Sequence, residues 1–437
     1  MRFVSSRLPS VKALMAACGT AAAVLAPSLT VGSSAAAASV ASAAADAAGS
    51  KGAVVTVTTA EVGAPGNRAV GVVPFTDAVY RSCADAPASS RGCLMVGRVA
   101  KPYEIGETEV TVSQWVAFLN TADPTGSDPH GLYDGETESS SAWPKYGQIN
   151  FSAQTGAGRH YSVAYPEWAD KPYGFATFLR AARFVNSLYN GRVISKTTSQ
   201  SGDFRYVSYR VQLSARTESG MYDLANPKAV RSNTTGFVVP SQDEWIKAAY
   251  FDPRGGGTYS YWKYPTNPGV FGDGDATAPH TTVLNPLTGD VTNASTQPLA
   301  SYHADGQPAP SWCPGEVSRE ACATVNPLGL NPIEYAALYQ GSLSSVGQAR
   351  TTSPWGTLDQ GGNAVEWTDT IAPPPAGGSS ARVWRRLHGG VSNASAYQMW
   401  PSAVGLQPQD NVFFNHTYPW LSMRIGVIGD LTPCAPR

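Results

Sequence analysis

The sequence predicts one α+β domain poor in regular secondary structure, and three observations predict it. Gly and Pro are plentiful, at 43 and 33 of 437 residues, which favours loops and turns over a helical bundle. Apolar residues make up 42%, with Trp and Tyr spread along the chain, enough for a packed core rather than disorder. Short strand-like and helix-like segments follow one another with no internal repeat and no clean linker after residue 50. Charged residues are only 14% and the net charge is −1, with no basic run and no acidic tail. Nucleic acid and anionic membrane surfaces are therefore not expected partners.

Residues 1–45 read as a signal peptide and Ala-rich leader, and residues 46–437 as the domain. Arg2, Arg7 and Lys12 form a positive start, followed by an apolar run from Ala13 to Leu25 and an Ala/Ser stretch from Ser33 to Ala48 that offers small-x-small cleavage sites. The run is shorter than the roughly 20 residues that span a bilayer. Cys18 lies inside the run rather than at its end, unlike a lipidation site. A secreted or periplasmic protein without a membrane span is expected.

Within the domain, Ala53–Thr59 is β-branched and strand-like, and strand character returns over Tyr103–Val110. A helix follows from the N-cap Thr111, with Trp115, Phe118, Leu119 and Ala122 on one face, until Asp123-Pro124 stops it. The segment 125–165 reads as loop. A second helix is predicted from about Gly174 to Tyr189, closed by Asn190-Gly191. A short strand over Phe237–Pro240 leads into a third, opened by the capping box Ser241-Gln242-Asp243-Glu244. Residues 254–352 read as irregular chain anchored by aromatics. Trp384–His388 and Leu421–Ile428 read as the last two strands.

Without the leader, five cysteines remain. Their spacing suggests two staples, Cys83–Cys93 and Cys313–Cys322, with Cys434 left over. Each staple would close a short loop and stabilise by roughly 2–3 kcal/mol. The six histidines are scattered singly and no Cys/His spacing suits zinc.

Seven segments in order carry a family resemblance: YEIGETEVTVSQWVAFLN (Tyr103–Asn120), KPYGFATFLRAARFVNSLYNG (Lys171–Gly191), FVVPSQDEWIKAAYFDP (Phe237–Pro253), YWKYPT (Tyr261–Thr266), SPWGTLDQGGNAVEW (Ser353–Trp367), RLHGG (Arg386–Gly390) and MRIGV (Met423–Val427). The chain resembles the formylglycine-generating-enzyme, or sulfatase-modifying-factor, family in its exported bacterial branch. The resemblance implies a C-type-lectin-like variant with little regular structure. It also implies, for the oxidising members, a copper ion held by two cysteines five residues apart after a Gly-Gly turn.

Here Gly389-Gly390 marks that turn, and the cysteine positions are Ala394 and Met399. A methyl group is no ligand, and one thioether does not replace two thiolates. Val391 stands where the family usually has serine. No copper or iron is expected: the iron-type relatives take their histidines from an additional helical domain that this chain lacks. The resemblance further implies a Ca²⁺ loop, mapped onto the Asp359 side chain, the Gly362 and Ala364 carbonyls and the Glu366 carboxylate, which are hard oxygen ligands. The alternative reading of those residues is a tight Gly-Gly turn with a buried Glu and Trp367. A second family calcium site, near Ala337 and Tyr339, lacks its aspartate. The ligand cleft of relatives maps to Ser392, Asn393, Ser395, Tyr397, Trp400 and Trp420, with Phe413 and Phe414 nearby; such aromatics equally suit a core. Four glycosylation sequons begin at Asn233, Asn293, Asn393 and Asn415.

The expected function is a calcium-stabilised extracellular protein that binds a peptide or glycan and lacks cysteine-oxidase activity. The alternative is a metal-dependent oxidoreductase of the same family whose metal is held by histidines that meet only on folding.

Overall fold

A computed structural model describes residues 52–433 except 75–78, 81–82, 87–91, 140–146, 256–259, 271–277, 285–289, 295–296, 303–342, 393–394 and 411–419. The leader, Cys313, Cys322, Cys434, Ala337 and Tyr339 lie outside the described residues. Among the described residues no helix is long and apolar enough to cross a membrane.

Among the described residues there are three α-helices, each begun by a side chain that satisfies an orphan backbone N–H. In α1 (Val112–Ala122) the Thr111 hydroxyl accepts from the Gln114 amide while the Gln114 side chain accepts from the Thr111 amide. α2 (Phe178–Tyr189) is capped by Thr177. It starts later than the periodicity predicts, because Gly174 and Ala176 use their backbone to pair with Leu421 instead. α3 (Gln242–Tyr250) has the predicted box, with Ser241 and Glu244 bonded reciprocally.

Two sheets position the site. The first has six strands in the order Gly236–Val238, Gly426–Ile428, Tyr103–Gly106, Val54–Val62, Phe204–Gln212 and Arg192–Ser201, every neighbouring pair antiparallel. The second has four, in the order Gly405–Pro408, Trp384–His388, Val365–Ala372 and Leu421–Ser422. Its last pair is parallel, with Glu366 opposite Ser422. Helices α1 and α2 cover one face of the six-stranded sheet and bury Trp115, Phe118, Phe178, Phe184 and Val185 against Val55, Val57, Tyr209 and Val211. Trp245, Ile246 and Tyr250 of α3 pack with Ile105 and Val62 in a second cluster. Burying side chains of this size contributes about 1.5–3 kcal/mol each.

The eight-residue strand predicted over Leu421–Ile428 is in fact two. Leu421–Ser422 joins the four-stranded sheet, Gly426–Ile428 joins the six-stranded one, and Met423–Ile425 carries the chain across. The strand predicted over Tyr103–Val110 stops at Gly106 for a related reason. Gly106 and Val110 both donate to this crossing, to the carbonyls of Ile425 and Met423, and Glu107–Glu109 turns out between them. Several hairpins are additional to the predicted elements. Ile149–Phe151 pairs with Tyr161–Val163 inside the stretch read as loop. Arg192–Ser201 pairs with Phe204–Gln212 around the two-residue turn Gly202-Asp203.

Cys83 and Cys93 are disulfide-bonded as the spacing predicts. Trypsin should cut after Arg81, Arg91 and Arg98. A non-reduced digest is therefore expected to hold peptides 82–91 and 92–98 as one linked species that separates on reduction. Recovering the two unlinked without reductant would exclude the staple.

Candidate ligand site and its buried support

The Gly389-Gly390 turn leaves the four-stranded sheet at the end of Trp384–His388. Gly390 has φ +72°, and a Cβ there would meet the Gln398 backbone at 3.1 Å, so only glycine lets the chain fold back over residues 396–399. A second loop, 359–364, is stitched to this turn. Gly362 donates to the Gly389 carbonyl at 2.7 Å, and Ser392 donates to the Asn363 carbonyl at 3.0 Å. Gly362 itself has φ +84°, and a Cβ would lie 2.2 Å from the Ser301 carbonyl oxygen. Asp359 and Asn363 hold positive φ as well, at +56° and +57°, a backbone strain that clusters at functional sites.

Of the residues expected to form the cleft, Ser392, Ser395, Tyr397 and Trp400 sit together on the segment after the turn. Tyr397 is 42% exposed and stands edge-on to Trp400, ring centroids 6.3 Å apart. Trp420 stands at the parallel strand pair, its carbonyl accepting from Val365 at 3.1 Å. Asn393, Ala394, Phe413 and Phe414 lie outside the described residues. Met399, at the second thiolate position, is 1% exposed and packs with Tyr264 and Ala300. Tyr250 donates its hydroxyl to the Met399 carbonyl at 2.7 Å. A buried thioether fixed in an apolar cluster, paired in sequence with an alanine, does not fit a copper site.

The calcium set also does not fit as mapped. Glu366 is fully buried, and its two oxygens accept from Arg424 Nε and Nη2, both at 2.6 Å, and from Trp245 Nε1 at 2.8 Å. Arg424 is fully buried and spends all five donors: two on Glu366 and the others on the carbonyls of Gly106, Glu107 and Leu358. A divalent cation on Glu366 would therefore face a guanidinium and three donors already in place. Asp359 Oδ2 accepts from the Gly347 amide at 2.5 Å, and burial pushes its carboxyl up to about 6. Glu366 and Trp367 are both buried beneath the turn, and Glu366 is paired with the arginine that the sequence places 58 residues further on.

Arg424 is the structural residue that sequence reasoning missed. It lies on the Met423–Ile425 crossing, so one guanidinium ties the six-stranded sheet, the four-stranded sheet and, through Trp245, helix α3. Asn363 adds a neighbouring link, donating to Glu109 at 3.1 Å and accepting from the Ser344 amide at 3.0 Å. The hydrophobic pattern had hidden Arg424 between Met423 and Ile425; its only sequence signal was a charge inside a strand-like run.

Among the described residues the histidines do not meet. His388 is fully buried, stacked on Trp245 at 5.3 Å, and neither ring nitrogen has a hydrogen-bond partner. His160 sits by the Ser152 carbonyl and His130 by Glu218. Among the described residues no group of three or more His, Cys, Asp or Glu is placed to hold a metal ion.

These features define an α+β domain in which a glycine turn presents an aromatic face over a buried ion pair. The family model for the sulfatase-modifying factor enzyme 1-like domain matches residues 94–408, and the chain belongs to this family. Among solved structures it is similar to CarF, at 14% identity and TM-score 0.40, over 86% of this chain and 99% of that one. It is similar to Treponema denticola variable protein 1 at 17% identity and TM-score 0.38, over 86% and 99%. PvdO from Pseudomonas aeruginosa matches at 12% identity and TM-score 0.35, over 86% and 94%. No curated protein matches the chain by sequence.

Proposed function

We propose that this chain is an exported, non-oxidising member of the sulfatase-modifying factor family that binds a ligand, peptide or glycan, on the face formed by Ser392 and residues 395–400. The observation that carries the reading is Met399, sealed under Tyr264 and Ala300 where an oxidising member needs a reactive thiolate. With Ala394 as the partner position, no pair of thiolates is available to hold the metal that supplies oxygen chemistry. What the segment does offer is an exposed tyrosine and a half-buried tryptophan on a rigid turn, the kind of surface that binds at low entropic cost.

The test incubates the purified chain with Cu(I), reductant, oxygen and a cysteine-containing sulfatase peptide. No aldehyde product is expected by mass spectrometry. Multiple turnovers would overturn the reading.

A further inference from the structure

We propose that Lys263, standing over the ring of Trp400, binds a carboxylate of the ligand, and that the ligand is an acidic peptide. This rests on the reading of Ser392 and residues 395–400 as the ligand face. Lys263 lies on the strand Trp262–Tyr264, whose Tyr264 packs on Met399. The residue is only 7% exposed, and its ammonium stands 5.1 Å from the centroid of the Trp400 ring. Among the described residues that ring is its one partner. Other lysines of the fold are provided for: Lys196 pairs with Asp430, and Lys247 donates to the Ala64 carbonyl.

A cation removed from most of its water, without a counter-ion, is costly, and an aromatic face offsets that cost only in part. Among the described residues no acceptor completes the site. The Trp400 indole N–H is also buried without an acceptor. Thr266, in the turn that follows the Lys263 strand, likewise has a buried hydroxyl without a partner. The packed stem of Lys263 fixes the charge in advance, so little side-chain freedom remains to be lost on binding.

The charge pattern selects the kind of ligand. A uronate or sulfated glycan repeats its charge along the chain and would be met by a row of cations. Residues 260–266 supply Lys263 alone, and residues 391–402 contain no Lys or Arg. One cation over the ring of Trp400, which Tyr397 meets edge-on, matches an Asp or Glu side chain set among apolar neighbours.

A phage-displayed random heptapeptide library panned on the full folded chain tests this. Wild-type protein is expected to enrich peptides with Asp or Glu at one position. Those peptides should bind Lys263→Gln about tenfold or more weakly, as loss of a charge-assisted contact implies. Lys263→Arg should keep them. Enriched peptides with no acidic preference, or with affinity unchanged in Lys263→Gln, would overturn the inference and leave the ligand-binding reading standing. Binding to polygalacturonate but to no peptide would also overturn it. No binding to either probe would overturn both. If Lys263→Gln does not fold by circular dichroism, competition on the wild type decides: acetate must displace the peptides better than chloride at equal ionic strength, and equal displacement counts against the proposal.

Discussion

Glu366→Ala is expected to lower the stability of the folded chain by about 3–5 kcal/mol, the cost of leaving one partner of a buried ion pair alone. The residue orphaned is Arg424, which is fully buried and has no route to water. Trp245 Nε1 loses its acceptor in the same substitution. Urea unfolding of wild type and variant, each with calcium and with excess chelator, measures the effect. The loss should be the same in both solutions, because the carboxylate is engaged by a guanidinium rather than by a cation. A wild type that loses stability on chelation, with a variant that does not, would return Glu366 to the calcium role that the family resemblance implied.

The second large effect is a loss of stability in acid that runs through His388. Burial, reinforced by the positive charge of Arg386, pushes its imidazole down to about 3. In the unfolded chain it titrates near 6.5. Between these values only the unfolded chain takes up the proton, so the stability carried by the neutral ring is present above about pH 6.5 and lost as pH falls toward 3. The slope from this group approaches about 1.4 kcal/mol per pH unit. Asp359 acts in the opposite sense: raised to about 6, it contributes stability at low pH that is lost as pH rises through that value. Comparing wild type with His388→Phe isolates the histidine. Urea unfolding from pH 7 to pH 4 should show the variant gaining steadily on the wild type. A difference between them that does not change with pH would mean that His388 titrates alike in both states.

The elements with local signatures were legible in the sequence. Thr111 and Ser241 announced their helices through capping chemistry that needs no tertiary context. Trp384–His388 occupies the span predicted for it. The long hairpin over 192–212 was hidden by its Ser, Thr and Arg content, although the Gly202-Asp203 turn between two alternating runs was a usable cue. Leu421–Ile428 reads as one strand because both halves are apolar; nothing local says that the chain changes sheets between them. The site was legible as a location, through the Gly389-Gly390 turn, and less so as chemistry. Glu366 on a glycine loop suits a metal ligand and an arginine partner equally well, and the choice is made by Arg424, which is adjacent only after folding. Lys263 lay inside a family segment, but nothing local marked its role, which lies in the ring it faces and in the lack of a carboxylate beside it among the described residues.

The strand Gly426–Ile428 lies inside the six-stranded sheet, between Gly236–Val238 and Tyr103–Gly106. The neighbours on its two sides are synthesised some hundreds of residues before it. During vectorial emergence from a ribosome, the sheet therefore carries an open slot that no earlier segment fills. Closing it joins distant parts of the chain, a slow kind of contact to form because the loop entropy is lost before the reward arrives. The insertion of Gly426–Ile428 also delivers Arg424 to Glu366, so the last seam of the sheet and the neutralisation of the buried carboxylate are one event. A nascent chain that has not reached this point remains unlatched, with Glu366 still without its guanidinium.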